Sequence, residues 1–309
     1  MNSKNSVISA YLAHRRSPAQ YLLTYKSNTE NRRSKMKRFL MLSAMALALT
    51  AASEAGAISI TQTNSASVLG AALGGVTVTA VSGDANQFGT FTNSSGLWGI
   101  GNGVVLSTGD VNHYNDGPNT LVNNSTAYGT SGQADLASLA GNTTYDAALL
   151  LFDFVAGDTQ FSFDFVFGSE EYPEYVGSQF NDVFGAFFGG VGGTNVTYDQ
   201  FVNPITINSA WMSSPTGTEL DGATVLLSTV VGGLTVGNTY SLMFGIADAG
   251  DAYWDSTVYI SNFRFTSGQD VGTNPTNQNN PVPEPSTIIL LGTGLAGLGY
   301  YARKRQKKS

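Results

Sequence analysis

Apolar residues along this chain fall into short runs interleaved with threonine, serine and asparagine, the period-two pattern of strands whose two faces meet different surroundings. In residues 75–81, Val76, Val78 and Ala80 alternate with other positions, and 103–107 is a compact apolar run. Residues 148–155 and 160–167 read as the two arms of a hairpin joined through Gly157 and Asp158. In the second arm Phe161, Phe163, Phe165 and Phe167 share one face while Ser162 and Asp164 share the other, which predicts a half-buried strand. Further strands are expected over 183–188, 195–198, 223–231, 239–246 and 256–265. Helical periodicity is scarce, with a short turn at most over 133–139. Many strands, glycine-rich turns and no alternation of strand with helix predict an all-β fold over residues 58–266. The expected form is an antiparallel two-sheet sandwich of jelly-roll or lectin-like kind.

Both ends of the chain depart from this pattern. Residues 267–282 are rich in Asn, Gln, Pro and Gly with almost no apolar content, the composition of a disordered linker. Residues 283–309 follow as a tripartite tail: Pro283, Glu284 and Pro285, an apolar run over 286–301, then Arg303, Lys304, Arg305, Lys307 and Lys308. As a helix the 16-residue run rises about 24 Å, short of the roughly 30 Å hydrocarbon core. A C-terminal transmembrane helix of this length spans only with local thinning and snorkelling of Arg303 and Lys304, its cations staying cytoplasmic. At the other end Met36, Lys37 and Arg38 precede an apolar stretch over 39–49 and the small residues Ala55, Gly56 and Ala57. Residues 36–57 therefore read as a helical signal peptide cleaved at the Ala55–Ala57 site, and residues 1–35 as a non-native extension.

The tail resembles the PEP-CTERM sorting signal of Gram-negative bacteria that make extracellular polysaccharide. The resemblance implies recognition by a membrane-embedded exosortase that cuts near Pro283-Glu284-Pro285, after a transient stay in the inner membrane. It also implies delivery to the cell surface or medium. A permanent single-span anchor is the alternative.

Charge sharpens the picture. Of 15 Lys and Arg, nine precede Ile58 and five follow Tyr301, which leaves Arg264 alone against 20 of the 22 carboxylates, a formal charge of −19. A nucleic-acid partner is excluded, because phosphate binding needs clustered cations. Such a surface attracts divalent cations or basic polymers instead. With no cysteine, neither disulfides nor thiolate metal sites contribute.

Two segments turn abruptly acidic. The first carries Glu170, Glu171, Glu174, Asn181 and Asp182 between two expected strands; the second carries Asp248, Asp251 and Asp255 between two more. Adjacent carboxylates repel unless a cation or donor lies between them. Hard oxygen ligands without His or Cys point to Ca²⁺, with Glu170, Glu171, Asn181, Asp182, Asp248, Asp251 and Asp255 as candidate ligands and Trp254 as a hydrophobic plug. The first loop is expected to fold back and gather several of these oxygens around one ion. A solvated acidic turn capped by its own amides is the plain alternative.

The runs at 103–109, 163–175 and 181–187, with the segment beginning at Asp255, resemble the choice-of-anchor L domain over roughly 66–265. That resemblance implies an exported β-rich ectodomain and no particular reaction. Nucleophilic catalysis has little to stand on: His113 is the one histidine after residue 57, and no Gly-X-Ser-X-Gly elbow occurs. Glycoside hydrolysis by Glu170 and Glu171, with Tyr172, Tyr175 and Trp254 stacking on sugar, is the enzymatic alternative. A calcium-dependent carbohydrate-binding surface is the other. The expectation is a non-enzymatic surface or matrix component associated with biofilm or extracellular polysaccharide.

Overall fold

The computed structural model describes residues 58–267 apart from Pro215. The expected extension, signal peptide and linker beyond Ser267, and the expected apolar helix of the tail, lie outside the described residues. Among those described, no helix is long and apolar enough to cross a membrane.

The chain folds as an all-β, two-sheet antiparallel sandwich. Its strands are β1 (Ile58–Gln62), β2 (Thr77–Ser82), β3 (Phe88–Asn93), β4 (Gly103–Ser107), β5 (Thr144–Val155), β6 (Gln160–Ser169) and β7 (Val183–Phe188), continuing with β8 (Thr194–Asn195), β9 (Ile205–Thr206), β10 (Gly222–Ala223), β11 (Leu227–Gly232), β12 (Thr239–Ala249) and β13 (Ser256–Thr266). The first sheet runs β1-β3-β4-β13-β6-β10, with β11 also on β6; the second runs β2-β5-β12-β7-β8, with β9 on β7. Two short helices accompany them, α1 (Ala66–Ala72) and α2 (Ala134–Ala140). The Gln133 side chain caps α2 by accepting from the Leu136 amide at 2.8 Å, and Gly141, at φ 74°, ends it in the left-handed turn that glycine adopts freely.

The core lies between the sheets and is largely phenylalanine. Phe161, Phe163, Phe165 and Phe167 of β6 meet Phe152, Phe184 and Phe244 of the second sheet. The Phe163 and Phe244 rings meet edge-on at 5.0 Å, and Phe165 lies 5.1 Å from Phe184. A second cluster containing Val105, Val166, Tyr114 and Tyr259 covers the outer face of the first sheet. A third, with Leu136 of α2 and Met243, covers the outer face of the second.

Three expectations are corrected. Residues 148–155 and 160–167 are not a hairpin: β5 pairs with β2 and β12, whereas β6 pairs with β10, β11 and β13. Their apolar faces oppose each other across the core, with Phe154 5.1 Å from Phe161, so Gly157 and Asp158 carry the chain from sheet to sheet. The β6 strand is also covered on both faces rather than half-buried: Val166 packs in the outer cluster, and Ser162 and Asp164 on that face are enclosed. Asp164 accepts from Ser228 Oγ at 2.6 Å and Asn262 Nδ2 at 2.8 Å, and pairs with Arg264 at 3.5 Å. Finally, the expected 223–231 strand is two strands, β10 and β11, and 195–198 contributes only the end of β8.

Candidate cation-binding end of the sandwich

Both acidic segments are crossovers at the same end of the sandwich. The first leaves β6 in one sheet and enters β7 in the other; the second leaves β12 and enters β13. Glu170, Glu171, Asp182, Asp248 and Asp255 are thereby brought to one end and buried, none more than 2% exposed. Asn181 and Asp251 stay half-buried at the rim. Asn181 donates to the Ala140 carbonyl and accepts from Asn208, and Asp251 accepts from the Tyr253 amide.

Period-two alternation sorts the buried acids. Even-numbered residues of β12 and β7 face the core, where Ile246 and Phe184 lie, so Asp248 and Asp182 point between the sheets. Asp182 accepts from the Ala249 amide at 2.9 Å and from Ser256 Oγ at 2.7 Å. Repulsion from the Asp182 carboxylate acts on both Glu171 and Asp248. Glu170 and Asp255 instead share the parity of Val166 and Tyr259 on the outer face of the first sheet. The Glu170 amide donates to the Asp255 carbonyl at 3.1 Å, which continues the β6–β13 ladder past its last assigned pair. A Cβ on Gly109 would lie 1.6 Å from Asp255 Oδ2, so only glycine there leaves room for this carboxylate.

Sequence reasoning missed several participants. Asn124 places its amide 3.4 Å from Glu170 Oε2, and Thr126 places its amide 3.0 Å from each Asp255 oxygen. Buried Asp146 lies in β5 at φ 44°, where one extra residue bulges against β12. Its carboxylate accepts from the Tyr128 amide at 2.9 Å and from the Thr130 hydroxyl at 3.1 Å, fixing that loop. Trp254 is half-buried at φ 62° and meets Tyr175 edge-on at 4.8 Å, so the anticipated plug joins the two acidic crossovers to each other.

Burial is the main electrostatic fact. It pushes the Glu170 carboxyl up to about 9, with Asp221 and Glu219 adding repulsion, and the Asp255 carboxyl up to about 7. Burial raises Glu171, Asp182 and Asp248 as well, and each suffers from a neighbouring carboxylate. No basic side chain answers them: within 58–267 Arg264 is engaged with Asp164, and His113 is exposed. Glu170 Oε1, Glu171 Oε2, Asp248 Oδ1 and Asn124 Nδ2 are buried without a hydrogen-bond partner. The donor set fits a hard divalent cation, which accepts carboxylate, amide, hydroxyl and carbonyl oxygens together. Among the described residues, however, no three His, Cys, Asp or Glu side chains converge closely enough to hold one ion. The single gathered site expected from the first loop is therefore absent from this arrangement, and the reason is the alternation that sends Glu170 and Glu171 to opposite faces.

Fold and acidic end together define an all-β sandwich module with its carboxylates concentrated where the chain changes sheets. Residues 60–216 match the model of the choice-of-anchor L domain, and the chain belongs to that family. The match stops before β12 and β13, which supply Asp248 and flank Asp255. Residues 281–306 match the PEP-CTERM protein-sorting motif, which marks an exported surface protein of a Gram-negative bacterium, processed by an exosortase-type system. No curated protein and no solved structure matches the chain.

Proposed function

We propose that the sandwich is a calcium-braced structural or adhesive component of the extracellular matrix, working through surface contacts and without turnover. One observation carries this reading: buried carboxylates with unpartnered oxygens at one end and, among the described residues, no basic side chain to neutralise them. Leaving such groups charged and unpaired is costly, so folding at neutral pH needs either protons or a cation there. Outside the cell, Ca²⁺ is an available hard cation. Calcium would be held by carboxylates drawn from Glu170 and Asp255 on one face and from Glu171, Asp182 and Asp248 on the other, with Asn181 and Asp251 at the rim. Bound, it would supply positive charge that locks the two crossovers together.

The test is thermal unfolding of the metal-stripped chain with and without millimolar Ca²⁺. We expect a higher melting temperature with the ion. An unchanged curve, together with no heat of binding in calorimetry, removes calcium from the proposal.

A calcium-dependent carbohydrate-binding module is the second reading, supported by Tyr175, Trp254 and exposed Tyr253 beside the acidic end. Saturable binding to one sugar class on a glycan array would favour it over the structural role. Hydrolysis is the weakest reading, since a glycosidase carboxyl must reach the sugar and Glu170 and Glu171 are enclosed. Polysaccharide cleavage abolished by Glu170→Gln would reinstate it. The residue boundaries of signal peptide, linker and tail, and the transient membrane stay, belong to the same proposal. Intact-mass analysis of protein from medium and membranes tests them.

A further inference from the structure

We infer that the acidic end holds two separate Ca²⁺ positions on opposite faces of the first sheet, an inner one enclosed between the sheets and an outer one with an open side. The inference rests on the calcium reading above and adds number, place and accessibility to it.

The inner position is built from Glu171 and Asp248, beside an Asp182 whose two oxygens already accept from the Ala249 amide and Ser256 Oγ. Glu171 Oε2 and Asp248 Oδ1 are the unpartnered atoms there, on residues 2% and 1% exposed. Asp182 Oδ2 is already tied to Ser256 Oγ, whose strand forms the floor.

The outer position follows from register. Gly222 of β10 and Ser256 of β13 both lie opposite Ser169 of β6. One residue further, Asp221, Glu170 and Asp255 stand side by side on one face across three strands. Cross-strand neighbours are about 4.5–5.5 Å apart, and like charges placed so repel. The row ends at Gly109, where a side chain is excluded by Asp255. Over it lies Asn124, 6% exposed, whose backbone amide reaches Glu170 and whose side-chain amide has no partner. Glu170 Oε1 is the second unpartnered atom. Unlike the inner acids, Asp221 is half-buried, and Glu219 beside it binds the amides of Thr120 and Leu121 in an exposed loop. This side therefore opens to solvent.

Because no three acidic side chains converge among the described residues, each position takes two carboxylates at most, with neutral oxygens making up the coordination.

Native mass spectrometry and calorimetry of the metal-stripped full chain, titrated with Ca²⁺, test this. We expect two ions per chain. Glu171→Gln should leave one, Glu170→Gln should leave one, and the double variant none. Because either variant could unfold, the wild-type chain supplies an independent readout: on mixing with chelator, Ca²⁺ should leave in a fast and a slow phase of equal amplitude. One ion lost in a single phase overturns the two-position inference while the calcium reading stands. Two ions lost together from either single variant overturn their separateness. No ion at all overturns both.

Discussion

Strand β6 carries two different chemistries along one ladder. Its first half presents phenylalanines to the phenylalanines of the facing sheet, and nothing from solution is needed to complete those contacts. Its end delivers Glu170 and Glu171 to opposite faces, where each meets further carboxylates. Apolar burial is complete once the sheets meet, because dispersion and water release have no counter-charge to find. Carboxylate burial is incomplete until something positive arrives. The contrast teaches that a sandwich can be self-sufficient at one end and conditional at the other, while the two ends share the same strands.

The largest expected effect probes the self-sufficient half. Phe163→Ala should cost about 3–5 kcal/mol in urea unfolding, and by the same amount with or without Ca²⁺. A calcium-dependent loss at this position would break the division between the two halves. Next comes removal of the ion itself. With Ca²⁺ at about a hundred times its dissociation constant, chelation should lower stability by about 2.7 kcal/mol.

The pH dependence gives this second prediction a sign. In the metal-free chain Glu170 titrates at about 9 and Asp255 at about 7, against about 4 when unfolded. As pH rises from about 4 towards 9, the unfolded chain sheds protons that the folded chain keeps, so stability falls through that window. Saturating Ca²⁺ should flatten the slope, since ligand carboxyls are then ionised in both states. Melting temperatures across that range, with ion and with chelator, measure the difference.

A smaller effect should change sign. Glu171→Gln removes a buried ionisable group, so it should stabilise the metal-free protein at pH 8 by about 1 kcal/mol and destabilise the calcium-loaded one. Destabilisation in both conditions would show that Glu171 is held by protein contacts alone. Smallest of all, Arg264→Ala should change stability by about 0–1 kcal/mol, because its guanidinium is half exposed on Asp164. A double-mutant cycle with Asp164→Asn sets that value apart from packing of the arginine stem.

Much of the fold was legible because strand patterns are local. The runs at 103–107 and 183–188 coincide with β4 and β7. Sheet membership was not legible, since a short Gly-Asp connection serves a tight turn and a crossover equally well. The acidic loops announced themselves by composition, yet their division did not. Seeing it requires carrying the alternation of β6 two residues beyond Ser169, where a loop had been expected. Asn124, Asp146 and Asp221 escaped notice for a related reason: each is unremarkable in its own segment. Asn124 and Asp221 matter through register or contact with residues more than 40 positions away, and Asp146 through a bulge set by pairing with β12. The reading of residues 170–182 as one gathering loop parts from the structure at the same point, because Glu170 and Glu171 are adjacent in sequence but take opposite faces.

One consequence of the lone Arg264 concerns survival outside the cell. Trypsin-like proteases cut after arginine or lysine in segments that can enter their clefts in extended form. The described sandwich offers a single such residue, and it sits within β13, paired opposite Ser162 of β6. Proteases of this specificity therefore meet a target without a severable loop.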